Sequence, residues 1–129
     1  MVTNSILADI GTEITLLSRI AYGNSVAAGW YTDLETGQPK ELHTGEEIAL
    51  IHSEISEALS AHRSDEMDTH LPNRKAFEVE LADAVLRIMN LAGYHGMDIG
   101  RAIVEKMEYN RHREDHKIEN RMKANGKKY

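Results

Sequence analysis

A chain of 129 residues is long enough to bury one core and short for two domains, and its lack of cysteine excludes a disulfide framework and any thiolate metal site. The formal charge of −6 divides into −10 over the first hundred residues and +4 over the rest, where nine Lys or Arg stand against five Asp or Glu. The acidic total speaks against a nucleic-acid binder, and neither a membrane-length apolar run nor a cleavable leader pattern is present. The expectation is one soluble domain over residues 1–129 in a reducing cytoplasm, without a membrane partner.

Over residues 3–22, Ile6, Leu7, Ile10, Ile14, Leu17 and Ala21 recur at helical spacing and predict an amphipathic first helix ending at Gly23-Asn24. Gly23, Gly29, Gly37 and Pro39 then mark a long connection up to His43, with Trp30-Tyr31 in its middle. The pattern Thr44-x-x-Glu47 predicts a capping box that opens a second helix, with Ile48, Ile51, Ile55 and Leu59 on its stripe, running to about His62. Leu71-Pro72-Asn73 closes a polar link, and Asn73 is the predicted N-cap of a third helix over 74–94. Its stripe is Phe77, Leu81, Ala84, Val85, Ile88, Leu91 and Ala92. Asp98 caps a fourth helix carrying Ile99, Ala102, Ile103 and Met107 and continuing to about Arg121, while 123–129 read as a flexible tail. No alternating β pattern competes, so the predicted class is all-α, four main helices packed as a bundle. With one Phe and one Trp the core has little to spare, and further burial between subunits is expected.

Two acidic patterns interrupt the apolar stripes: Glu54-x-x-Glu57 and Glu80-x-x-Asp83. Residues three apart share a helix face, so each pattern presents a pair of carboxylates. Burying an unpaired carboxylate costs several kcal/mol or forces it to take up a proton, and a divalent cation removes that cost. Oxygen-only ligation favours Mg²⁺, with Mn²⁺ as its substitute, and a four-carboxylate cage has room for two or more ions around a polyphosphate. An acidic metal site with a basic C-terminal segment suits a substrate bearing several phosphates, and metal-assisted attack of water on phosphorus is the simplest chemistry. The competing reading is structural: Glu57 or Asp83 turned outwards, or paired with Arg87. A di-iron bundle requires Glu-x-x-His, which is absent, and His112 and His116, four apart, lack a third ligand and read as exposed.

Glu54-Ile-Ser-Glu57, Glu80-Leu-Ala-Asp83 and Lys106-Met-Glu-Tyr109-Asn110-Arg111-His112-Arg113 together resemble the MazG-like branch of the all-α nucleoside triphosphate pyrophosphatases. Gly29-Trp30-Tyr31, Ser53 to Arg63, His70-Leu71-Pro72, Val79 to Ala92, Asp115-His116-Lys117 and Gly126-Lys127-Lys128 extend the likeness to its short phage and bacterial members. The resemblance implies an oligomeric enzyme, a dimer or a tetramer of two dimers, that cleaves a nucleoside triphosphate between the α and β phosphates. It assigns metal ligation and catalysis to Glu54, Glu57, Glu80 and Asp83, and phosphate or sugar contacts to Lys106 and Asn110, with Arg113 as a further phosphate partner. The spacing of Lys106, Asn110 and Arg113 places them on one helix face, with Tyr109 beside it. Trp30 is a flat surface for a base or an anchor for a subunit interface, and Asn24 and His52 are further base or phosphate contacts. The short phage-like group tilts the expected base towards a purine such as that of dGTP. The alternative is a non-catalytic helical assembly protein whose carboxylates pair with Lys or Arg of a neighbouring subunit.

Overall fold

The computed structural model describes residues 3–129 and is all-α, as the stripes require. Its helices are α1 (Asn4–Ala27), α2 (Thr44–Ser64), α3 (Ala76–Tyr94), α4 (Ile99–Arg111) and the short α5 (Ile118–Arg121), with a 3₁₀ turn at Glu114–His116. Two isolated β-bridges, Thr32 with Pro39 and Met67 with Lys75, tie off loops. No helix among the described residues is long and apolar enough to cross a membrane.

The chain forms two compact units, Leu16–Met97 and Met1–Thr15 with Asp98–Tyr129. In the first, α2 and α3 make an antiparallel pair. His62 meets Phe77 with ring centroids 5.1 Å apart, and eight residues back along α2, Glu54 meets Arg87, ten residues further along α3. The buried face of α2 consists of Glu54 and Ala58, four apart, and that of α3 includes Ala84, Met89 and Ala92. The link between them is closed by Asp65, whose left-handed backbone (φ 53°) ends α2 and whose carboxylate holds Lys75 at 2.9 Å. Asp68 then accepts backbone bonds from His70 and Leu71, making a tight turn before α3.

The 28–43 connection is built on Asp33, whose carboxylate accepts from the Glu35 and Thr36 amides, with Gly29 and Gly37 at positive φ. Tyr31 stacks on Tyr94 at 5.3 Å, Tyr22 meets both edge-on, and Asn90 donates to the Tyr31 hydroxyl at 2.8 Å. Aromatic contacts thus fasten the long loop to the C-terminal turns of α3. Within this unit α1 also comes close to α3: a Cβ on Gly93 would lie 2.5 Å from the Ser18 carbonyl oxygen.

In the other unit the first half of α1 lies against α4. A Cβ on Gly100 would stand 1.8 Å from the Gly11 carbonyl oxygen, so the two backbones touch. Thr15 binds both sides of the α4 start, donating to Asp98 Oδ1 at 2.7 Å and accepting from the Gly100 amide at 2.9 Å. Asp98 also accepts from the Arg101 amide, the N-cap that the sequence predicts.

Several boundaries differ from expectation. α1 runs past Gly23 to Ala27, since one glycine costs a helix only about 1 kcal/mol relative to alanine. Its buried face is Leu7, Gly11, Thr15 and Ser18, while Ile6, Ile10 and Leu17 of the predicted stripe are exposed. The Thr44 capping box does not form: His43 is the N-cap, its Nδ1 accepting from the Glu46 amide, and the Thr44 hydroxyl bonds the His95 ring. α3 starts at Ala76 after Lys75 instead of after Asn73. α4 stops at Arg111, because 108–117 offers only Tyr109 as an apolar side chain and no face to bury. Residues 122–125 turn back, with Lys128 Nζ donating to the Arg121 carbonyl oxygen.

Candidate functional site

Glu54, Glu57 and Glu80 come together across the α2–α3 pair, each offering one carboxylate oxygen within 4.8 Å of the others. The helix geometry dictates the meeting. Glu54 shares the buried face with Ala58, Glu57 lies one turn along, and Glu80 shares its face with Ala84. Glu54 is buried, Glu80 half-buried and Glu57 exposed, so the trio grades from core to surface. Asp83 is exposed and falls outside the trio, although its charge acts on both Glu57 and Glu80.

Arg87 is the counter-ion. Its Nε donates to Glu54 Oε1 at 2.5 Å, and its side chain is 39% exposed against 10% for that of Glu54. The competing structural reading had Glu57 or Asp83 turned outwards or paired with Arg87; in the structure Arg87 binds the most buried acid, where an unpaired charge costs most. The bond from Arg87 holds the Glu54 carboxyl below its ordinary value, against the opposing effect of burial. Glu57 is pushed up, first by its hydrogen bond to Glu54 and then by the Glu54 charge. Glu80 is pushed up by burial first and then by the charges of Glu57, Glu54 and Asp83. The set therefore holds more negative charge than one guanidinium neutralises.

The donor chemistry fits a hard cation. Oxygens on one Mg²⁺ lie at about 2.0–2.1 Å from it, hence no more than about 4.2 Å apart. A 4.8 Å limit requires only small side-chain rotations to reach that spacing. Glu54, Glu57 and Glu80 are the residues that could hold the ion.

Linkage gives these shifts a sign. A carboxyl whose folded pKa is raised, as for Glu57 and Glu80, contributes stability below its unfolded value near 4.5 that is lost as pH rises through the folded value. Glu54, lowered, contributes above its unfolded value and loses that contribution as pH falls. A cation removes the repulsion only where the acids are ionised. Added Mg²⁺ or Mn²⁺ is expected to raise the melting temperature at about pH 8 and to leave it unchanged at about pH 4. Thermal melts with metal and with EDTA at both pH values check this, and equal shifts at both would contradict it.

The remaining sequence-predicted residues fare differently. Lys106 and Asn110 are on α4; the Lys106 ammonium sits 4.6 Å from the centre of the Tyr109 ring, and the Asn110 Oδ1 is buried without a partner among the described residues. Arg113 lies beyond the end of α4 and does not extend their face. It is held by Asp115 through two bonds, at 2.9 and 2.6 Å. A 440 Å³ concavity there is lined by Tyr109, His112 and Arg113 but also by Glu108, Glu114 and Asp115. Those acids repel a phosphate as long as Arg113 stays paired. His112 bonds Glu108 at 2.9 Å, and His116 is 3.9 Å from Asp115. Trp30 is 74% exposed, and Asn24 and His52 are exposed on α1 and α2.

The sequence reading missed Asn90, whose Oδ1 is likewise buried without a partner. Its signal was available: Glu80, Asp83, Arg87, Asn90 and Tyr94 recur at spacings of three and four, one polar stripe along α3. Compared with protein families, curated proteins and solved structures, the chain matches none.

Proposed function

We propose that this protein is a Mg²⁺-dependent nucleoside triphosphate pyrophosphohydrolase of the MazG-like all-α type, splitting a deoxynucleoside or nucleoside triphosphate into the monophosphate and pyrophosphate. The observation that carries the reading is the convergence of Glu54, Glu57 and Glu80 on an antiparallel helix pair, charged beyond what Arg87 compensates. Such a set is costly without a cation, and an oxygen-only donor set takes Mg²⁺ or Mn²⁺. The bound metal would supply a water of lowered pKa and Lewis acidity towards phosphoryl oxygens. Glu54, fixed by Arg87, presents its second oxygen at a set orientation; Glu57 and Glu80 supply the charge that draws the cation and its triphosphate. Lys106 and Asn110 enter as phosphate or sugar contacts on the resemblance of their motif, as does dGTP as substrate.

The reading includes a homo-oligomer. Leu16, Ile20, Ile55, Leu59, Val85 and Leu86 are each 45% or more exposed, and among the described residues the buried apolar ones are Leu7, Met89 and three alanines. Bulky apolar faces of this extent call for a second copy. They equally suit a non-catalytic assembly protein, whose carboxylates were expected to pair with a neighbouring subunit; Glu54 has its partner within the chain.

The test is incubation with a panel of deoxynucleoside and nucleoside triphosphates and Mg²⁺, assaying monophosphate and pyrophosphate. Release of both in equal amounts, abolished by EDTA, is the expected result. No consumption of any triphosphate in Mg²⁺ or Mn²⁺ would leave the assembly reading in its place.

A further inference from the structure

The guanidinium of Arg87 is only partly used. Its Nε is bound to Glu54, while no protein acceptor among the described residues takes a bond from either terminal nitrogen. Those nitrogens are not among the buried unpartnered atoms, and 39% of the Arg87 side chain is exposed. An arginine has five donors in a rigid planar fork, so one edge fixed on a carboxylate leaves the other aimed and free. A guanidinium needed only to neutralise Glu54 has no reason to keep that edge open beside two further acids, which would pair with it readily. Resting on the metal reading above, we propose that Arg87 is a substrate-binding residue of the carboxylate site. One edge positions Glu54, and the opposite edge receives a phosphate group of the metal-bound polyphosphate by paired N–H···O bonds.

The chemistry favours this division of labour. A polyphosphate entering beside Glu57, Glu80 and Asp83 meets repulsion from every uncompensated acid, and Arg87 is the cation within that cluster. Its place on α3, one turn beyond Asp83, puts it on the same helix face as the ligands, so anion and cation are held by one rigid element. Because the fork is planar and preorganised, lysine keeps the charge on Glu54 but loses the paired geometry.

Inorganic pyrophosphate is the probe, titrated calorimetrically into the full-length protein at saturating Mn²⁺, after a titration of Mn²⁺ alone. For Arg87→Lys, Mn²⁺ binding is expected to stay at the wild-type level, with pyrophosphate affinity falling about tenfold. For Arg87→Gln, Mn²⁺ binding is expected to persist while pyrophosphate affinity falls about 10- to 100-fold. Far-UV circular dichroism confirms that each variant is helical, and Arg87→Lys carries the test if the glutamine variant fails to fold. Unchanged pyrophosphate affinity in Arg87→Lys together with Mn²⁺ binding overturns the inference and leaves the metal reading standing. Loss of Mn²⁺ binding in a folded Arg87→Lys also overturns it, because Arg87 would then act through Glu54 alone. A wild-type protein that binds no Mn²⁺ overturns both.

Discussion

Alanine at Gly100 is expected to be the most damaging small substitution in the protein, costing about 3 kcal/mol or more of stability. The added carbon would stand 1.8 Å from the Gly11 carbonyl oxygen and 2.8 Å from Thr15 Oγ1. The first obstacle is backbone, which cannot rotate away, so α1 and α4 have to separate. Separation breaks the bonds through which Thr15 holds Asp98 and the Gly100 amide, and with them the N-cap of α4. Urea unfolding followed by circular dichroism measures the loss. Gly23→Ala is the control: it lies inside α1, nothing stands within 4 Å of the new carbon, and it should stabilise by about 0.5–1 kcal/mol. If both changes moved the midpoint alike, the close approach of the two backbones would be disproved.

Under the proposed function, glutamine at Glu80 is expected to abolish hydrolysis, lowering kcat by about 10³-fold or more, since removing a ligand of the proposed metal would forfeit several kcal/mol of charge stabilisation. Glu80 is the better choice than Glu54, whose neutralisation would also leave Arg87 without its partner. Two opposite effects separate function from folding. Without metal, Glu80→Gln removes a carboxylate that Glu57, Glu54 and Asp83 repel, so the melting temperature at about pH 8 should hold or rise. With Mg²⁺, the wild type gains stability and the variant gains little. Asp83→Asn, outside the trio, should lower kcat by a smaller factor. A Glu80→Gln protein as active as wild type would remove the carboxylates from the chemistry.

The helix pair and its acids were legible because both depend on spacing. A carboxylate three or four residues from an alanine on an apolar stripe shares its face wherever the helix ends, so the meeting of Glu54, Glu57 and Glu80 was legible in the pattern, which named Asp83 with them although it lies outside the trio. The Asp98 cap was legible for the same local reason. What spacing does not contain is which side chain reaches across to another helix, and the pairing of Arg87 with Glu54 was therefore not among the alternatives the sequence offered. Nor does a count of bulky apolar residues find the packing face of α1. There Gly11, Thr15 and Ser18 bury themselves because small side chains let backbones meet, while Ile6, Ile10 and Leu17 remain outside. The end of α4 escaped because a polar run has no period to break.

The aromatic residues divide the optical signals of the protein. The lone tryptophan, Trp30, stands in solvent, so its emission should change little when the isolated chain unfolds and should respond chiefly to whatever comes to rest on it. Tyr22, Tyr31 and Tyr94 are locked edge-on and stacked within 6.0 Å of one another, and that fixed asymmetric packing is what gives tyrosine near-UV dichroism. One chain thus carries a reporter of contact and a separate reporter of its own tertiary order, readable in the same cuvette without a label.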